Sequence, residues 1–171
     1  DADYDVSPLT ETQAIESAQA LLAGIWRSTP PEDLLARDLA ELLPVATYAA
    51  WLDTLPAERR REMRASGDPA RHWAVRDVDG VPSFVIPRMS LGNLVILPQM
   101  PRDASGHGHY HDTSAAPDHL YLAAYLWLRQ EFGADAIIHL GTHGTQEWLR
   151  GKDRGLWAYD YPSLAVGDVP V

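Results

Sequence analysis

Between Thr10 and Trp26 the apolar residues Ala14, Ile15, Ala18, Leu21, Leu22 and Ile25 recur at the spacing of one face of an α-helix. Thr10 and Gln13 stand in capping-box spacing at its start. The run 28-STPPEDLLARDLAELLP-44 repeats the pattern and predicts a second helix. Thr29 is placed to cap it, Pro30 suits the first turn, Glu32 completes the box and Pro44 ends the run. Residues 45–56 and 57–67 continue in short helical pieces, the latter with its cationic face expected in solvent. Residues 1–67 therefore read as a helical segment.

The texture changes at Ala74. From there to Pro101, Val, Ile and Phe gather in short runs, while Asp79-Gly80 and Gly92-Asn93 supply turn chemistry. Two or three strands are expected, and 94-LVILP-98 is apolar enough to be buried on both faces. A polar loop, 102–116, precedes 117-PDHLYLAAYLWLRQEFG-133, a helix apolar almost all round that stops at Gly133. Then 134-ADAIIHLG-141 reads as a central strand. Strand, helix and strand predict a right-handed βαβ crossover, so the expected fold class is α/β: a helical N-terminal part, then an α/β segment over 68–171 with a small, mostly parallel sheet.

Composition narrows the chemistry. The chain of 171 residues is 46% hydrophobic, enough for one compact core. It holds neither an apolar run of about 18 residues nor a basic, then apolar, leader pattern, so no membrane span and a cytoplasmic location are expected. Absence of cysteine leaves His and carboxylates as the strong metal ligands. A formal charge of −10 argues against nucleic acid, whose binding is driven by dense Lys and Arg. Six Trp and seven Tyr against two Phe favour amphipathic pockets and interfaces.

The chemistry-bearing stretch is 139-HLGTHGTQEWLRGKDRG-155, which the predicted crossover would set at the carboxyl end of a strand, where open α/β sheets bind ligands. Glycines at 141 and 144 permit close backbone approach, while His139, His143 and Glu147 supply proton transfer or metal coordination. The plainer alternative makes His139 a strand histidine, His143 a turn residue and Glu147 a capping acid. No HExxH motif is present, because Leu140 follows the first histidine. Gly151-Lys152 is followed by Asp153 and does not complete a phosphate loop, and neither GxSxG nor GxGxxG occurs. Separately, His107, His109 and His111 alternate, so an extended backbone would put them on one side, with Asp112 beside them. That cluster supports a metal-dependent hydrolase as an alternative, and a solvated loop as the simpler one. His119 either belongs to the same basin or is a surface histidine at the helix start. Tyr121, Tyr125 and Trp127 read as packing.

The run 134–170, with its HxGxHGxxEW core, Gly151-Lys152 and Gly167-Asp168-Val169-Pro170, resembles the large subunit of cobaltochelatase (CobN type) and the H subunit of magnesium chelatase. The likeness extends back through 118–133, Tyr110-His111-Asp112, 92-GNLVILPQMPR-102 and the helix from Tyr48 to Leu55. Thr142, Gln146 and Arg150 depart from the family pattern, the last standing where a proline is usual. Because the family's large subunits are several times longer, the resemblance implies a fragment of a larger multi-domain subunit. It implies ATP-dependent insertion of a divalent metal, Co2+ before Mg2+, into a corrin or porphyrin precursor in cobalamin-type biosynthesis. The macrocycle would be held here, and ATP would be hydrolysed by separate AAA+ partner subunits. Within that resemblance Glu147, His143 and His139 are the catalytic candidates, Gly141, Gly144, Trp148 and Lys152 the macrocycle contacts, and Glu147, His143 and His111 the metal ligands. A non-catalytic subunit-interaction module is the third reading.

Overall fold

The structure is a computed structural model and describes residues 10–13, 15–16, 29–102, 115–141, 146, 149–151 and 155–171. They form two compact units: residues 1–42 with 85–98, and residues 43–84 with 99–171.

In the first unit the predicted capping box is present. The Gln13 backbone N–H donates to Thr10 Oγ1 at 3.3 Å, and Gln13 Oε1 accepts from the Thr10 N–H at 3.0 Å. Residues 11–13 and 15–16 are helical; the remainder of the first predicted helix lies outside the described residues. The second helix is shorter than expected. Helix α1 spans Pro31–Ala36 with Pro30 at its N-cap and no side-chain cap, and the chain then turns into strand β1, Ala40–Pro44. Asp38, at φ 55°, breaks the helix; Asp tolerates the left-handed region better than most side chains. The following apolar run buries Ala40 and Leu43 instead of completing a helical face. Leu34, Ala40, Val85 and Met89 form the core of this unit, with Leu39, Leu42 and Ile96 packed against it. Beside it Arg88, 7% exposed, is paired with Glu41 at 2.6 Å and Asp38 at 2.8 Å.

Strands β2 (Val75–Val78) and β3 (Val81–Pro87) form an antiparallel hairpin closed by Asp79-Gly80, both at positive φ. That is the geometry a two-residue Asp-Gly hairpin requires. Strands β4 (Met89–Leu91) and β5 (Leu94–Ile96) pair antiparallel around Gly92-Asn93. The strand orders are β1-β3-β2 and β4-β5. The expected burial of 94–98 on both faces is not met, since Leu94 is 47% exposed at the end of a two-stranded ribbon.

The second unit contains helices α2 (Val45–Thr54), α3 (Ala57–Ala65), α4 (His119–Gln130) and α5 (Tyr161–Val166). Helix α4 is buried from His119 to Trp127, as its all-round apolarity predicts, and Gly133 follows it at φ 70°. The parallel crossover is not formed. The β2–β3 and β4–β5 registers are antiparallel, and residues 136–140 carry no sheet pairing. Ile138 and Leu140 are 85% and 98% exposed. An apolar run becomes a central strand only with neighbours on both edges; here Ala134 N–H bonds back to the Leu128 carbonyl of the preceding helix and Ile137 N–H to the Pro170 carbonyl, both at 2.9 Å, and neither belongs to a strand ladder. One more expectation fails on α3, whose cationic face is not wholly in solvent: Arg59 is 6% exposed.

Candidate functional site

Of the catalytic, macrocycle-contact and metal-ligand candidates, His139 and Gly141 are described. His111, His143, Gly144, Glu147, Trp148 and Lys152 lie outside the described residues, as do His107, His109 and Asp112. What the structure shows is how the chain on either side of the motif is held.

On its N-terminal side, Tyr125 from the buried face of α4 meets His139: the phenol oxygen lies 2.9 Å from Nε2, and the rings pack edge to face at 6.1 Å. Desolvation lowers the His139 pKa below the ordinary histidine value, so the imidazole is neutral near pH 7. Burial raises the Tyr125 pKa, against the opposing effect of hydrogen bonds from Tyr121 and Gln99. Among the described residues nothing lies within 4 Å of where a Cβ on Gly141 would sit.

On its C-terminal side the chain is fastened by a buried polar network. Glu62, one turn from the end of α3, accepts from Arg59 Nη1 at 2.9 and 2.8 Å, from the Tyr161 hydroxyl at 2.9 Å, and from Arg150. Arg59 also donates to Asp160 Oδ1 at 3.2 Å and to the Tyr159 carbonyl at 2.9 Å, and its guanidinium sits 5.3 Å from the Tyr161 ring centre. Asp160 Oδ2 in turn accepts the Trp157 N–H at 2.9 Å. Arg59, the buried guanidinium, is met by Glu62 and Asp160, with the exposed Glu58 at 3.9 Å, while Arg150 reaches Glu62 from a partly exposed position; a buried charge of this kind is tolerated only when it is satisfied. Burial, then the Glu62 bond, push the Tyr161 phenol far above its ordinary pKa. Leu149 is fully buried, and Gln146 Nε2 donates to the Pro162 carbonyl at 3.2 Å. Gly151 sits at φ 103°, and a Cβ there would lie 2.2 Å from Asp160 Cγ, so only glycine fits. Two departures from the family pattern, Gln146 and Arg150, are thus two of the residues that tie this stretch down.

A second buried cluster lies at the start of α4. Asp118 caps the helix through the Leu120 N–H at 2.8 Å and accepts from His72 Nε2, whose Nδ1 accepts the Ala74 N–H at 3.1 Å. His119 is 3% exposed rather than a surface residue. Its Nε2 faces the Gly67 carbonyl at 3.2 Å, so Nε2 carries the proton and Nδ1 accepts from the Tyr48 hydroxyl at 2.9 Å. Desolvation lowers the His119 pKa, and burial followed by the Asp118 charge raises that of Tyr48. Tyr121 and Trp127 pack in the core, as read from sequence. No distinctive sequence signal marks His72, Glu62 or Arg59: a single polar residue in a helical pattern reads as surface until its partners are known.

The whole chain, residues 1–171, matches the family model described as CobN/Magnesium Chelatase. The chain belongs to this family. It is 35% identical, over 97% of its length, to the aerobic cobaltochelatase subunit CobN of Pseudomonas aeruginosa, of which it spans 13%. Against the magnesium-chelatase H subunit of Rhodobacter capsulatus it is 28% identical over 77% of its length, spanning 11% of that protein. Among solved structures it is similar to the catalytic subunit of cobaltochelatase from Mycobacterium tuberculosis, with a TM-score of 0.74, 34% identity, and coverage of 96% of this chain and 14% of that one.

Proposed function

We propose that this chain is the segment of a chelatase large subunit that holds a tetrapyrrole while a divalent metal, cobalt in preference to magnesium, is inserted into it. The observation that carries the reading is the family match over the whole chain, which includes the HLGTHGTQEW run. The fuller likeness to cobaltochelatase subunits than to the magnesium-chelatase relative supports cobalt. ATP hydrolysis is assigned to AAA+ partner subunits, in accord with the incomplete phosphate-loop pattern at Gly151-Lys152.

Insertion makes two demands. Two pyrrolic protons must leave the ring, and a partly dehydrated cation must be handed over by ligands that hold it weakly. Glu147 is the residue assigned to both, as proton acceptor or as a hard oxygen donor. His143 relays a proton or coordinates the metal, and His111 is the third ligand candidate. Gly141 and Gly144 admit the flat macrocycle against main chain, Trp148 stacks on it, and Lys152 pairs with its acidic periphery. His139, neutral near pH 7 and bonded to Tyr125, stands at the start of this segment.

The test is Glu147→Gln in the subunit that carries this segment, assembled with its AAA+ partners. The reading expects Co2+ insertion to fall by on the order of a hundredfold or more, the scale of a lost general base, with porphyrin binding retained. Unchanged insertion removes Glu147 from the mechanism. Exposure of Ile138 and Leu140 favours a second reading, a contact surface without chemistry, which expects no porphyrin affinity at all.

A further inference from the structure

The ion pair between Arg150 and Glu62 ties the downstream end of the HxGxHGxxEW run to α3, 88 positions earlier in the chain. Its two members are not equivalent. Glu62 is a junction whose oxygens also accept from Arg59 and from the Tyr161 hydroxyl, so its removal takes a partner from a buried guanidinium. Removal of Arg150 does not. Its side chain is 40% exposed, and Glu62 keeps Arg59 and Tyr161 as donors without it. A cation that can return to water when released adds little to global stability. What Arg150 constrains is position. It follows Leu149, which is fully buried and donates its N–H to the Gln146 carbonyl at 3.2 Å, while Gln146 Nε2 reaches the Pro162 carbonyl at 3.2 Å. On its other side Gly151 is pressed against Asp160. Glu147 and Trp148 are the two residues between Gln146 and Leu149 in the sequence.

We propose that Arg150 is a positioning residue for metal insertion: paired with Glu62 on α3, it fixes the backbone next to Glu147 and Trp148, and so governs the rate of insertion without governing the stability of the fold. The inference rests on the chelatase reading, in which those two residues meet the macrocycle. Misplacing a reacting group by about 1 Å lowers a rate by up to roughly a hundredfold. A tether that contributes little to folding can therefore matter a great deal to the reaction.

The test is Arg150→Met in the subunit that carries this segment, assembled with its AAA+ partners. Co2+ insertion is expected to fall by on the order of ten- to a hundredfold, while the melting temperature of the 171-residue chain shifts by no more than about 2–4 °C. Arg150→Lys keeps the charge but loses the planar fork, and its rate is expected between the two. Because Arg150 acts through Glu62, adding Arg150→Met to Glu62→Gln should lower the rate no further. Unchanged insertion by Arg150→Met overturns the proposal, as do losses that multiply in the double variant. So does a loss of rate accounted for by unfolding, the mark of a purely structural residue. A second readout needs no chelation. In the chain labelled with fluorotryptophan, Arg150→Met is expected to move the fluorine NMR signal that Trp148→Phe identifies, and to leave those of Trp51 and Trp127 in place. A Trp148 signal that stays put overturns the proposal. A moved signal together with unchanged insertion by Glu147→Gln counts against the chelatase role of Glu147 and leaves the tether standing, so the two failures are told apart.

Discussion

The two flanks of the motif are held in opposite ways. Downstream, Leu149 to Gly151 are fixed by a fully buried leucine, an ion pair to Glu62 and a glycine pressed against Asp160. Upstream, 136–141 is a stretch without sheet pairing that has two exposed aliphatics and one hydroxyl-to-imidazole bond. Downstream, a partly exposed Arg150 is tied to Glu62 beside the buried Arg59–Asp160 pair; upstream, the exposed residues 138 and 140 leave the backbone next to Gly141 accessible.

That contrast is breakable, and the largest effect is expected at Glu62. Glu62→Leu leaves the buried Arg59 with Asp160 and only the exposed, more distant Glu58, and it strips Arg150 of its Glu62 partner; removing one side of a buried ion pair costs about 3–5 kcal/mol. Urea unfolding of the variant checks it. Gly151→Ala combines an unfavourable φ with direct overlap on Asp160 and is expected to cost about 2–3 kcal/mol by the same measurement. A smaller effect is set by pH. Folding lowers the His119 pKa below the ordinary value of about 6.5, so the unfolded chain binds the proton more tightly. The stability this contributes is present above about pH 6.5 and is lost as pH falls through that value toward the folded pKa. Melting temperature should therefore drop between about pH 7 and pH 5, and His119→Gln should reduce the slope, leaving the same-signed contribution of His139. The smallest effect belongs to the open edge: Ile138→Ser with Leu140→Ser should move the unfolding free energy by no more than about 0.5 kcal/mol per site, because neither side chain is buried.

Local signals are legible where the chain decides its own structure. The Thr10–Gln13 box, the Asp79-Gly80 hairpin and the all-round apolar helix, which ends at Gln130 shortly before Gly133, each follow from a few adjacent residues. What the sequence hides depends on partners distant along the chain or on a single backbone reversal. The run Leu39 to Pro44 has helical spacing, yet Asp38 turns it into a strand. Ala134 to Gly141 has the composition of a central strand, but composition does not supply neighbouring strands. Arg59 reads as one of several surface cations until Tyr159, Asp160 and Glu62 gather around it, the first two 100 and 101 positions away. The HxGxHGxxEW pattern makes the family legible in the sequence, since it is a short run of chemistry-bearing residues. The network that fastens its downstream flank is not, because Glu62 carries no motif.

The most direct test of the account is a titration of the 171-residue chain with free-base deuteroporphyrin IX, read by quenching of tryptophan fluorescence, alongside Trp148→Ala and Glu147→Gln. The account predicts saturable quenching that Trp148→Ala weakens by about tenfold, in line with the roughly 1–3 kcal/mol of a lost aromatic stacking contact, while Glu147→Gln binds as the native chain does. Quenching that never saturates, or saturates identically without Trp148, would contradict a tetrapyrrole site in this stretch.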